Sequence, residues 1–212
     1  MATSTALWSF ALVVGLLTLT PGLDTALILR TRLLGRPQRA WGVVLGIQSG
    51  TLVWGALTSL GVTALLTASA IAYDLLRWAG AGYLVWLGLR MIGDTLRGAA
   101  REEPSQATAP HVTDSLLGGV RQGMVTNLLN PKVGAFYVAV LPQFIPPGGD
   151  HLSLGLLFTL VHIGLALVWS TVLIGCARVL HRWLRTRRAQ RLLDRVTGTV
   201  VAALGVRLAV SG

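Results

Sequence analysis

Long apolar runs separated by short polar, mostly arginine-bearing stretches set the pattern of this chain. The runs cover residues 6–29, 41–66, 75–92, 119–144, 152–176 and 192–210. A helix needs roughly 20 apolar residues to cross the hydrocarbon core of a bilayer. Five runs meet that length cleanly; the third, 18 residues bounded by Arg77 and Arg90, spans only with little tilt. The pattern predicts an all-α integral membrane protein of six transmembrane helices.

One stretch breaks the rhythm. Residues 93–115, "GDTLRGAAREEPSQATAPHVTDS", are polar and carry two prolines. They divide a single transmembrane domain, 1–212, into a first three-helix unit (1–92), a linker (93–118, expected on the cytoplasmic side) and a second three-helix unit (119–212). An odd number of spans per unit forces the two units into the membrane with opposite orientation, so related units form an inverted repeat. Local matches support the relation. "LGLR" at 87–90 returns as "LGVR" at 204–207, Pro21-Gly22 corresponds to Asn130-Pro131, and Gln48 to His162, at offsets that drift by only a few residues. Chance coincidence is the alternative.

Composition agrees with the membrane reading. The chain is 53% hydrophobic and 12% charged, against about 25% charged in soluble domains. Its net charge of +10 brings nucleic acid to mind, but the arginines sit between spans. Arg30, Arg32, Arg36 and Arg39 separate spans one and two. Arg97 and Arg101 follow span three, and Arg121 opens span four. Arg178, Arg182, Arg185, Arg187, Arg188, Arg191 and Arg195 lie between spans five and six. With alternating spans these share one side, which the positive-inside rule makes cytoplasmic, so both termini are expected outside. Contact with membrane lipid is expected and nucleic-acid binding is not. The stretch 177–195 reads as an interfacial amphipathic helix on anionic lipid. The N-terminus lacks a basic leader and reads as a first span, not a cleaved signal peptide. One cysteine, Cys176, and four unpaired histidines give no disulfide and no metal framework, and no cofactor is expected.

Against this apolar background a few residues stand out. Pro21 and Pro131 interrupt spans one and four, where a proline removes a ladder hydrogen bond and clashes with the preceding turn. In lipid such openings persist where protein or a wet cavity satisfies the freed groups, and paired interruptions point to a binding site at mid-depth. "TPGLD" (20–24) places Gly22 and Asp24 at the first break; "NPK" (130–132) places Asn130 and Lys132, the sole lysine, at the second. A charge at the bilayer centre costs about 2.5–3.5 kcal/mol on insertion scales. Asp24 and Lys132 therefore form a structural ion pair or recognise the two ends of a zwitterion, with snorkelling a further explanation for Asp24. Asn127 and Asn130, at i and i+3, share a helix face. Gln48 and His162 are polar positions inside spans two and five, and His162 titrates in a range useful for proton coupling. Gly42, Gly46 and Gly50 form a stripe that lets helices approach closely, in internal packing or a homodimer seam. Trp54 and Trp169 read as core, and Trp8, Trp41, Trp78 and Trp183 as interfacial anchors.

Taken in order, "TPGLD", the glycine-spaced second span, "GAGYLVWLGLRMI" and "GMVTNLLNPKVGAFYVAVLPQF" resemble the LysE/RhtB family of amino-acid exporters over nearly the whole chain. The NPK-to-LPQF block is the most specific part. The family usually has a second proline where this chain has Leu23, a departure that bears on how sharply span one is broken. The resemblance implies efflux of amino acids or related metabolites across a bacterial inner membrane, driven by the proton motive force. It marks Pro21, Gly22, Asp24, Asn130, Pro131 and Lys132 as matching functional positions. It names no substrate.

The expectation is a secondary transporter and not an enzyme, with an amino acid and protons as its small partners and its site between the two broken helices. The rivals are efflux of another solute or an ion, and a sensor or scaffold that transports nothing. An intramembrane enzyme would need a nucleophile–base set or a metal cluster, and the spans offer only His162 and Cys176.

Overall fold

The computed structural model describes residues 2–68, 70–96, 114–145, 150–184 and 186–210. Most of the predicted linker, with Arg97 and Arg101, and also Arg185, lies outside them. Every regular element among the described residues is helical. In order they are α1 (Ala2–Leu19), α2 (Leu23–Leu33), α3 (Pro37–Ala68), α4 (Ala70–Leu96), α5 (Leu116–Leu128), α6 (Pro131–Ala139), a 3-10 turn (Leu141–Phe144), α7 (His151–Gly175), α8 (Ala177–Leu184) and α9 (Arg187–Val210).

Spans one and four are each broken. The α1–α2 pair bends by 51° and the pair formed by α5 with α6 and its 3-10 turn by 57°. Two different devices make the bends. At the first, Thr20 still donates its N–H to Leu16 O (3.1 Å), and Pro21 then has no N–H with which to continue. At the second, Asn130 ends the ladder and caps α6, accepting from Lys132 N at 3.1 Å. Pro131 follows at the first helical position, where its missing N–H costs nothing. Leu23 in place of a second proline leaves the first break nearly as sharp as the second. By length and composition, Pro37–Gly61 and His151–Gly175 suffice to cross a membrane, giving up to four spans if each bent pair counts as one. The other two predicted spans correspond to α4 and α9.

Glycine decides which helices touch. A Cβ on Gly42 would lie 2.1 Å from Leu116 O, and one on Gly46 would lie 2.0 Å from Val120 O; Gly50 backs onto Asn127. The numbers rise together, so α3 and α5 run parallel at van der Waals contact. The glycine stripe thus serves packing within the chain. Helices α4 and α9 pack antiparallel: Gly88 faces Gly198 and Ala202, while Gly205 faces Ala81 and Val85. Antiparallel packing also joins α3 to α7, with Gly55 on Thr159 and Ser59 on Gly155. Gly80 meets Ala139 of α6, whereas Gly82 faces open space.

Two of the arginines tie helix ends together. Arg39 donates its backbone N–H to Asp114 (2.7 Å) and its guanidinium to Gln122 (2.8 Å), joining the starts of α3 and α5. Arg195 donates to Thr95 (3.1 Å), joining the start of α9 to the end of α4. The basic stretch expected as one amphipathic helix is two: α8 ends at Leu184, and Thr186 accepts from Ala189 N at the head of α9. A hydroxyl beside two arginine-rich turns makes a better helix start than a continuation. At the opposite end Asp150 caps α7, accepting from Ser153 and from Leu152 N; these bonds hold its carboxyl below the usual carboxylate range.

Two apolar clusters occupy the interior. One centres on Phe10, Phe136, Tyr137, Leu141 and Phe158; the other, nearer the arginines, centres on Val43, Val44, Leu29 and Leu173. Between them lies a polar layer.

Candidate functional site

The two breaks meet in that layer. Each is completed by groups from the other half of the chain. Asp24, in the first turn of α2, accepts from Asn127 Nδ2 at 2.9 Å and from Asn130 Nδ2 at 3.4 Å. Asn127 ends α5 and Asn130 caps α6, so their shared helix face is turned onto the carboxylate. In return the Lys132 ammonium donates to Leu17 O (3.1 Å) and Thr20 O (3.2 Å), carbonyls that the first break leaves without helical partners. Placement follows the helix dipoles, with a carboxylate at a helix start and a cation at a helix end. These bonds form a crossed arrangement of amide-to-carboxylate and ammonium-to-carbonyl contacts between the two breaks.

The layer holds a cavity that is partly open to solvent. Asp24, Gln48, Asn127, Asn130, Lys132 and His162 all line it, as does Gly22. Pro21 and Pro131 create the breaks without facing the space. Gly22, in extended conformation, starts α2 without a side-chain cap, and a Cβ there would meet nothing within 4 Å. The α2 start is thus open, while the α6 start is closed by Asn130. Leu17 and Val133 of one apolar cluster wall the cavity on one side, and Ile28, Ile47 and Leu173 of the other wall it on the opposite side.

His162 shares a hydrogen bond with Tyr137 OH through Nδ1 at 3.0 Å, and the two rings stack at 5.8 Å. The phenol is wholly buried. Tyr137 had no signal in the sequence beyond being an aromatic in an apolar run. Thr20 was equally silent; it joins α1 to α9 through Thr197 and offers its carbonyl to Lys132. Trp169, read from the sequence as core, stands in the cavity wall with Ser170. Gln48 Nε2 and Oε1, Asn127 Oδ1 and Trp169 Nε1 are buried without hydrogen-bond partners. Among the described residues no group of three His, Cys, Asp or Glu side chains is placed to hold a metal ion.

A bundle of apolar helices that opens a polar chamber between two broken rods has the build of a membrane translocator. The chain belongs to the LysE type translocator family, which it matches over residues 15–212. It is 28% identical to the threonine efflux protein of Escherichia coli strain K12 over 194 residues, covering 91% of this chain and 92% of the relative. It is 28% identical to the homoserine/homoserine lactone efflux protein of Salmonella typhimurium LT2 over 204 residues, 95% and 96% of the two chains. An uncharacterized membrane protein of Bacillus subtilis strain 168, YrhP, is 24% identical over 213 residues, 97% and 99% of the two. No solved structure matches the chain.

Proposed function

We propose that this protein exports amino acids or close derivatives across the bacterial inner membrane by proton-coupled antiport, with the cavity between the broken helices as its site. The observation that carries the reading is the crossed hold on the two breaks. A carboxylate and an ammonium line the same cavity, each beside a helix end of matching polarity. An amino-acid zwitterion is the complementary solute. Its ammonium replaces an asparagine amide at Asp24. Its carboxylate meets the open start of α2, with Lys132 assisting. The names of the relatives, threonine and homoserine efflux proteins, agree.

Six spans in two inverted units complete the proposal, with both termini outside and the arginine-rich end in the cytoplasm. The α4–α9 seam supports the inversion. The offset of 117 residues that superimposes Gly88 on Gly205 also carries Ala81 and Val85, the neighbours of Gly205, onto Gly198 and Ala202, the neighbours of Gly88. Antiparallel packing has that symmetry at any offset, so the support rests on both glycines standing second in the repeated Leu-Gly-x-Arg pattern.

Asp24 has two roles that compete, as substrate-ammonium acceptor and as proton carrier, which is how an antiporter couples its fluxes. His162 is the second proton-carrier candidate. The test is export from proteoliposomes loaded with an amino-acid mixture under an imposed pH gradient. Wild type is expected to export at least one amino acid faster with the gradient than without it. Asp24→Asn is expected to insert normally and lose the gradient-driven component. Undiminished coupled export by that variant rejects the assignment. A second reading rests on the lactone in one relative's name: a lactone lacks a free carboxylate, so a solute carrying only the ammonium is recognised at Asp24 without Lys132.

A further inference from the structure

The cavity wall holds two kinds of polar group. The charged ones are engaged within the protein: Asp24 by two amides, Lys132 by two carbonyls. Three neutral side chains are not fully engaged. Both ends of the Gln48 amide, Asn127 Oδ1 and the Trp169 indole N–H lack partners. Gln48 and Asn127 retain only 7% and 1% of their exposure. A buried polar atom left unpaired is costly, and native proteins keep few of them. Surrounding lipid offers these atoms nothing, so a solute or water in the cavity is the partner within reach.

Gln48 and Trp169 share one stretch of the wall. The antiparallel register of α3 and α7, with Gly55 on Thr159 and Ser59 on Gly155, brings Gln48 level with Ala166. Trp169 and Ser170 lie one turn further along α7, and Ala166, Trp169 and Ser170 all line the cavity. Resting on the proposal that an amino acid occupies this space, we infer that Gln48 and Trp169 are the residues that read its side chain, and that they select a neutral group able both to accept and to donate a hydrogen bond. A hydroxyl or carboxamide accepts from the indole N–H and donates to Gln48 Oε1. An aliphatic side chain would leave all these atoms unpaired. A cationic one would point donors at the indole donor, which has no acceptor to return.

Isosteric substrate pairs test this in proteoliposomes. Threonine and valine differ by a hydroxyl for a methyl; asparagine and leucine differ by a carboxamide for an isopropyl group. Sites built to hydrogen-bond a substrate group reject analogues lacking it by large factors, so wild type is expected to export the polar member of at least one pair about tenfold faster or more. Trp169→Phe keeps the aromatic bulk and removes the N–H. Gln48→Met keeps the length and removes the amide. Each is expected to reduce that preference at least threefold, slowing export of the polar member more than that of the aliphatic member. Equal export within both pairs by wild type overturns the inference alone. So does slowing of both members of a pair by the same factor in both variants, which marks packing or gating. Absence of export for every amino acid fails the transport proposal itself, and this inference with it.

Discussion

Replacing Lys132 with methionine separates what the ammonium does for the fold from what it does for a solute. Methionine keeps most of the length and removes all three donors. Two carbonyls at the end of α1, Leu17 O and Thr20 O, then lose partners at 3.1 and 3.2 Å, and Asp24 loses a nearby positive charge. Hydrogen bonds across membrane helices average about 0.6 kcal/mol in double-mutant cycles, whereas bonds to charged groups elsewhere are worth about 1.5–3 kcal/mol each. Two such bonds bracket the loss between about 1 and 6 kcal/mol, and water entering the cavity to replace the ammonium favours the lower half, about 1–3 kcal/mol. For a chain of this size each kcal/mol moves the melting temperature by about 2–4 °C. The assay is thermal unfolding in detergent, followed by circular dichroism. The expected result is a fall of about 2–12 °C. Asp24→Asn is expected to do less harm in the Lys132→Met background than alone, because the lone carboxylate is then no longer a liability. A Lys132→Met protein as stable as wild type would refute the crossed hold as a source of stability, as would strict additivity of the two substitutions.

Three further outcomes follow from the packing. Gly46→Leu drives a side chain into Val120 O, which stands 2.0 Å from the position of its first carbon; overpacking of about 1–3 kcal/mol should lower yield and melting temperature, while Gly82→Leu, facing open space, should change neither. Tyr137→Phe removes the hydroxyl bonded to His162 at 3.0 Å but keeps the stacked ring, and a loss of about 1–3 kcal/mol is expected in the same unfolding assay. The Asp150 cap lends α7 stability that is complete above the ordinary carboxylate range and is lost as pH falls through the lowered native value. Hydrogen-exchange protection at the start of α7, relative to the intrinsic rate at each pH, should therefore fall on acidification in wild type, and Asp150→Ala should remove that dependence.

Much of the site was legible because membranes punish misplaced polarity. Asp24, Asn127, Asn130, Lys132, Gln48 and His162 stood out against apolar runs, and all six reach one cavity. A group that costs several kcal/mol in lipid needs a common shelter, and the breaks at Pro21 and Pro131 marked where that shelter lies. What the Lys132 ammonium touches was not legible. Its partners are backbone carbonyls, which every residue has, so no side-chain pattern could point to Leu17 and Thr20. The Tyr137–His162 pair joins α6 to α7 across an intervening turn, a contact decided by tertiary packing. Trp169 carried no signal because a deep tryptophan reads as core whether or not its N–H finds a partner. The division of 177–195 into α8 and α9 was hidden by amphipathic periodicity on both sides of Thr186.

The exchange of partners between the breaks also sets a timetable for biosynthesis. When α1 and α2 leave the ribosome, neither the carbonyls of Leu17 and Thr20 nor the Asp24 carboxylate can be satisfied from its own surroundings. Their partners lie 103 to 115 residues downstream, a wait of about 5–20 s at ~5–20 residues per second. For that interval the nascent first half needs water, a lateral pore or an insertase to shelter its open helix ends. A chain truncated before Asn127 is left permanently in that unfinished state, exposed to membrane proteolysis.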